Sequence, residues 1–290
     1  MVTFSWGLNY PVMKFVVNQY PPASYRAFSF LLGLIALGIY ALLSKQSLAV
    51  QKNQIPEVIK LSLPNMVFWH VGLIYGITLL QSGRAAIVGY TMPAWALLVS
   101  VLFFKTPLNH KSLYGVLCSL CATGLLAYQE FFQFMGHPLG LLFTLFAAFS
   151  WGCGTAMTKH SPLRLSTLAL TFWMLMSAFL AFTVIAMNFE RDGWRWPNGI
   201  EWLCIAYSGV MTFAISYVAW FKVVRKLSPV KSGLSIMLVP IIGLMGGWMV
   251  LGEHIALTDM AALGLILCAM ALVLPKEQTN VNTEQPKTPP

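Results

Sequence analysis

A 290-residue chain that is 58% hydrophobic and only 9% charged carries more apolar surface than a water-soluble fold can bury, since soluble domains run near roughly 25% charged residues. It reads as a polytopic membrane protein. Its net charge of +9 then reports loop placement, not a nucleic-acid footprint, because no compact Lys/Arg stripe with interleaved aromatics is present.

Ten apolar stretches of membrane-spanning length are expected, at about 1–17, 25–44, 62–81, 84–104, 112–129, 138–158, 165–187, 202–221, 230–251 and 259–274. Pro21-Pro22, the polar run Lys45–Lys60, Pro107, Pro138, Pro162 and the Asn188–Asn198 loop separate them. The polar tail 276–290 is expected to be disordered. The first stretch has only three residues ahead of Phe4 against about nine ahead of Phe149, so it is expected either to be a short but sufficient helix or to continue upstream by about six apolar residues.

Two echoes organise the chain. Phe4-Ser5-Trp6-Gly7 and Lys14 recur 145 residues later as Phe149-Ser150-Trp151-Gly152 and Lys159, and Pro93 recurs 147 residues later as Pro240. The first stretch thus overlies the sixth and the fourth overlies the ninth. Because each set holds an odd five spans, the second half must enter the membrane from the other side. The expected fold is an all-α membrane protein of ten transmembrane helices, an inverted repeat of two five-helix halves (1–129 and 138–275). Lys/Arg placement, thirteen residues on one set of connections against five on the other, puts both termini in the cytoplasm.

Candidate site residues follow from helical spacing. Trp6, Asn9, Tyr10 and Lys14 share one face of the first span, and Trp151, Thr155 and Lys159 occupy the equivalent face of the sixth. A polar stripe facing lipid is costly, so both are expected to face the interior or a wet cavity; for the two lysines, snorkelling to the interface is an equal alternative. Pro93 and Pro240 are expected to kink their helices where a cavity sits, with Thr91 and Trp95 flanking Pro93 on the face of Arg84 and Val88. His70 is the titratable group well inside a span, read as a substrate ligand, a proton acceptor or an interhelical hydrogen-bonder. The GxxxG spacings Gly72–Gly76 and Gly243–Gly247 read as close helix packing.

The nine acids all fall in loops or at span ends, so a mid-membrane carboxylate relay is not expected. Coupling should therefore be facilitated exchange, or proton coupling that depends on His70. Lys14, Arg26 and Arg84 gather toward the outer half without acids at their depth, which favours a carboxylate-bearing or zwitterionic substrate. The five cysteines (Cys118, Cys121, Cys153, Cys204, Cys268) read as small packing residues. Cys118 and Cys121 lie a turn apart but lack a His or acid to complete a metal site. No metal or cofactor is expected. An enzyme would need a clustered catalytic set at membrane depth, which the sequence lacks; a non-transporting scaffold or receptor would differ by showing no solute flux.

These features resemble the EamA-like family of the drug/metabolite transporter superfamily. Phe4-Ser5-Trp6-Gly7…Lys14, its copy at Phe149–Lys159, Arg26 in the second span, and Pro240…Leu251-Gly252-Glu253 in the ninth carry the resemblance. The first half departs from it, with Lys105-Thr106 where the second has Gly252-Glu253. The resemblance implies ten helices in two repeats and export of small metabolites across the bacterial inner membrane by alternating access. The implied partners are a small-molecule substrate and the lipid bilayer, with a homodimer left open and nucleic acid excluded.

Overall fold

The computed structural model describes residues 1–107, 110–132, 136–219 and 236–273. The described residues are helical, with no strand among them. In chain order the helices are α1 (Val2–Val17), α2 (Pro22–Leu43), α3 (Lys52–Leu79), α4 (Ser82–Phe104) and α5 (His110–Phe132). They continue as α6 (Pro138–His160), α7 (Thr167–Phe189), α8 (Gly199–Ala219), α9 (Leu238–Leu251) and α10 (Leu257–Val273). Seven of these, α2 to α8, are long and apolar enough to cross a membrane; α9 and α10 are shorter apolar helices. The tail 276–290, residues 230–235 of the expected ninth span and Lys222, Arg225, Lys226 and Lys231 lie outside the described residues.

Local signals account for the helix starts. Pro22 and Pro138 open α2 and α6, where a missing N–H costs nothing. Ser166 caps α7, its hydroxyl accepting from Ala169 N at 3.1 Å. Asn198 and Glu201 form a reciprocal capping box on α8. Helix α3 starts well before the expected residue 62: Ile55–Ser62 forms about two helical turns with Val58 and Leu61 turned inward, so the polar run Lys45–Lys60 is helical in its second part.

Three helices are irregular. Wide π turns occupy Leu63–Phe68 in α3 and Tyr207–Ile215 in α8; such turns cluster at functional sites. Helix α4 is broken, with Ser82–Gly89 and Met92–Phe104 separated by a turn at Tyr90–Thr91. Pro93 explains the break, since its ring removes an N–H and collides with the carbonyl four residues earlier, that of Gly89. Pro240 stands in the same relation to Ile236, and a turn at Met237 precedes α9.

The proline helices also end alike. Lys105 and Gly252, 147 residues apart, both cap their helices in the left-handed conformation, with φ of 53° and 67°. Thr106 N donates to Ser100 O at 3.1 Å and Glu253 N to Gly247 O at 3.2 Å. This is one helix-stop motif, formed by lysine in one copy and glycine in the other.

The repeated tetrapeptide has a packing role. A Cβ at Gly7 would lie 2.6 Å from Ile242 Cβ on α9, and one at Gly152 would lie 2.6 Å from Trp95 Cβ on α4. Each glycine lets its helix close on the segment just after the proline of the other part of the chain. The preceding Phe4 and Phe149 point outward, 60% and 42% exposed, as a lipid-facing position demands.

Candidate functional site

A cavity of about 70 Å³ lies where α1, α2, α3, α4, α6 and α8 meet. Of the residues picked from the sequence, Trp6, Asn9, Tyr10, Arg26, His70 and Trp151 line it. Met13, Trp69, Leu73, Tyr90, Met92, Thr212, Phe213 and Tyr217 complete the wall.

Neighbours fix each polar group. Trp6 Nε1 donates to Thr212 O at 3.3 Å, a carbonyl inside the π turn of α8. Ser208 Oγ donates to Asn9 Oδ1 at 2.7 Å and shares a 2.5 Å bond with the Tyr25 hydroxyl. With the Asn9 carbonyl occupied, its amide N–H groups are what remain to face a ligand. His70 is wedged among Phe30, Trp69 and Phe213, with ring centroids 5.0, 6.4 and 5.2 Å away. Neither of its ring nitrogens has a hydrogen-bond partner among the described residues.

Arg26 is fully buried. Its Nη2 is turned against Met13 Sδ, and its Nε and Nη1 are unpartnered among the described residues. The guanidinium carbon lies 5.4 Å from the Phe213 ring and 5.7 Å from the Tyr25 ring. Burying an ion costs several kcal/mol even after relaxation, and a desolvated cation–π contact returns about 2 kcal/mol. The aromatic rings therefore cover only part of the cost.

The remaining sequence-picked residues lie outside the cavity. Lys14 reaches from α1 to the end of α3, donating to Ile77 O and Thr78 O at 3.0 Å each. It is a cation on helix C-terminal carbonyls. Thr91 bonds its own helix at Val88 O, and Trp95 packs edge-on against Phe149. Thr155, the repeat equivalent of Tyr10, is exposed. Its turn of α6 is held through Gly154, which abuts Asn65 of α3.

One expectation is corrected. Arg84 does not lack acids at its depth: Nη1 donates to Glu130 Oε1 at 2.6 Å and Nε to Asp259 Oδ1 at 2.8 Å. Both carboxylates are buried. Arg84 is thus an internal ion pair joining α4, α5 and α10, and Arg26 differs from it in having no carboxylate partner among the described residues. Other ties lie at this same end of the bundle. Glu190 accepts from Ala23 N and Ser24 N at 2.7 Å each. Glu253 accepts from Ser82 N at 2.7 Å and Gly83 N at 3.2 Å.

Two breaks in helical register account for four of the residues missed from sequence, Tyr90, Met92, Thr212 and Phe213. Helical periodicity was carried through Pro93, but the break resets the register, so Tyr90 and Met92 face inward in place of Thr91 and Trp95. The π turn of α8 likewise presents Thr212 and Phe213. Two aromatics, Tyr90 and Trp95, flanking an intramembrane proline were the available signal for Tyr90.

Apolar helices long enough to cross a bilayer, broken beside a shared cavity, define a multi-pass membrane protein of the carrier class. The chain matches the EamA-like transporter family over residues 1–128 and 138–274 and belongs to it. It is 25% identical to an uncharacterized transporter, YoaV, of Bacillus subtilis, over 93% of this chain and 92% of that one. It is 24% identical to a probable amino-acid metabolite efflux pump of Salmonella typhimurium, over 94% and 92%. A protein of known crystal structure shares the fold, with a TM-score of 0.67 at 19% identity, covering 93% of this chain and 94% of that one.

Proposed function

We propose that this protein is a secondary carrier that exports a small carboxylate-bearing or zwitterionic metabolite across the bacterial inner membrane by alternating access. In this reading the chain crosses ten times as an inverted repeat of two five-helix halves, with both termini cytoplasmic. The recurring proline break and helix stop at an offset of 147 residues support the repeat. The observation that carries the proposal is that one cavity draws its walls from both halves, Tyr10, Arg26 and His70 from one, Trp151, Thr212 and Tyr217 from the other. A site at a repeat interface is reachable from either side when one half rocks against the other. The efflux pumps among the relatives favour the outward direction.

The substrate contacts proposed are Trp6, Asn9, Tyr10, Arg26, His70 and Trp151. Uptake from a labelled metabolite mixture by inside-out vesicles tests the carrier reading, with Asn9→Leu and Trp151→Ala as site variants. Both should lower flux at unchanged membrane expression. Absence of flux for every solute would favour a non-transporting scaffold or receptor.

A further inference from the structure

Resting on the carrier reading, we propose that the cavity selects organic monoanions, a carboxylate on a flat apolar body, and discriminates against zwitterions and cations.

Charge bookkeeping across the chain leads there. Of the seven acids among the described residues, six are engaged elsewhere and the seventh, Asp192, is exposed in the loop after α7. Glu57 holds Ser161 Oγ, Glu130 and Asp259 hold Arg84, Glu201 holds Arg195, and Glu253 holds the start of α4. Glu190, just past α7, holds the start of α2. The residues between 219 and 236 include no Asp or Glu. Among the described residues, the cavity wall contains Arg26 and no carboxylate. A substrate α-ammonium would meet a buried cation and no counter-charge, which is prohibitive in a desolvated site.

The hydrogen-bond inventory points the same way. Arg26 Nε and Nη1 are donors without acceptors, His70 adds one ring N–H and one ring lone pair, and the Asn9 carbonyl already accepts from Ser208, so unpaired donors outnumber unpaired acceptors. Donors left without acceptors match a group that only accepts, a carboxylate. Beside them stand the faces of Trp6, Trp69, Trp151 and Phe213, which suit a planar apolar body. A merely structural Arg26 would be expected to have its fork filled, as that of Arg84 is.

Three probes separate the charges while keeping the ring: 3-phenylpropanoate, phenylalanine (the same skeleton with an α-ammonium) and phenethylamine (the ammonium without the carboxylate). Binding is read from tryptophan fluorescence of the purified full chain at mildly alkaline pH. Flux is read in proteoliposomes against protein-free liposomes. 3-Phenylpropanoate should bind at least about tenfold tighter than phenylalanine, the order expected when one buried charge lacks a partner, and phenethylamine should not compete. Arg26→Gln should weaken anion binding by about thirtyfold or more without lowering the thermal midpoint of the empty protein. Arg26→Lys, which keeps the charge and loses the planar fork, should preserve the order of preference with weaker binding.

Phenylalanine binding as tightly as 3-phenylpropanoate, no 3-phenylpropanoate binding to folded protein, or full anion binding by Arg26→Gln would each overturn the inference. Flux of phenylalanine with exclusion of the anion would do so while leaving the carrier reading intact. Arg26-dependent anion binding without flux would leave the site standing and overturn carriage.

Discussion

Replacing Arg84 by methionine should be among the most destabilising single changes in this protein. Its guanidinium bridges two carboxylates, Glu130 at 2.6 Å and Asp259 at 2.8 Å, whose side chains are 4% and 0% exposed. Each carboxylate keeps one backbone donor, His137 N at 2.6 Å and Ala256 N at 2.9 Å, and neither has room for a water shell. Breaking a buried pair by removing one partner costs about 3–5 kcal/mol, because the remaining charge is stranded. Two are stranded here; Arg84 retains 16% exposure, which lets some water in, so the same range holds. Denaturant titration of purified protein in detergent micelles would read the loss. The triple variant Arg84→Met, Glu130→Gln, Asp259→Asn should recover most of it, since a neutral amide costs far less to bury than an unpaired carboxylate. A loss below about 1 kcal/mol for Arg84→Met, the size of a surface pair, would refute the reasoning.

Other outcomes are expected from particular contacts. Glu253→Ala removes the acceptor for Ser82 N, Ser82 Oγ and Gly83 N and should cost about 1–2 kcal/mol in the same titration, the value of a lost helix cap. Lys105→Gly should stabilise by about 1 kcal/mol, because Lys105 holds a φ of 53° that disfavours any residue with a Cβ. Cysteines placed at Lys52 and Asp192 should be labelled from opposite faces of the membrane, Asp192 from outside; labelling of both from one face would refute the orientation.

Periodicity, the prolines and the repeated tetrapeptide made much of this architecture legible. The echo of Trp6-Gly7 in Trp151-Gly152 led to two cavity aromatics and two close helix contacts. Local sequence carries no comparable mark for π turns, so the inward turn of Phe213 could not be read from spacing. The partners of Arg84 lie 46 and 175 positions away, and only packing brings them to its depth. Symmetry misled at Thr155: its counterpart Tyr10 is walled in, whereas α6 is drawn onto α3 at Gly154. Arg26 was chosen for its charge; its isolation became visible only when each acid had been placed.

The helix contacts carry a consequence for how this chain comes to be built. The most extensive ones join α5 to α10, α2 to α7, α3 to α6, α1 to α9 and α4 to α6. All of them pair a helix made before residue 133 with one made after residue 137. A nascent chain that has delivered α1 to α5 therefore lacks the most extensive contacts of its final core and has only the smaller ones among those five helices. Its five apolar helices must wait in the bilayer, only partly packed, until the later helices arrive. Folding here is a closing step at the end of synthesis, unlike the usual progression in which an N-terminal unit settles first. Within that interval Arg84 can meet Glu130, but the second carboxylate of its ion pair, Asp259, arrives only with α10.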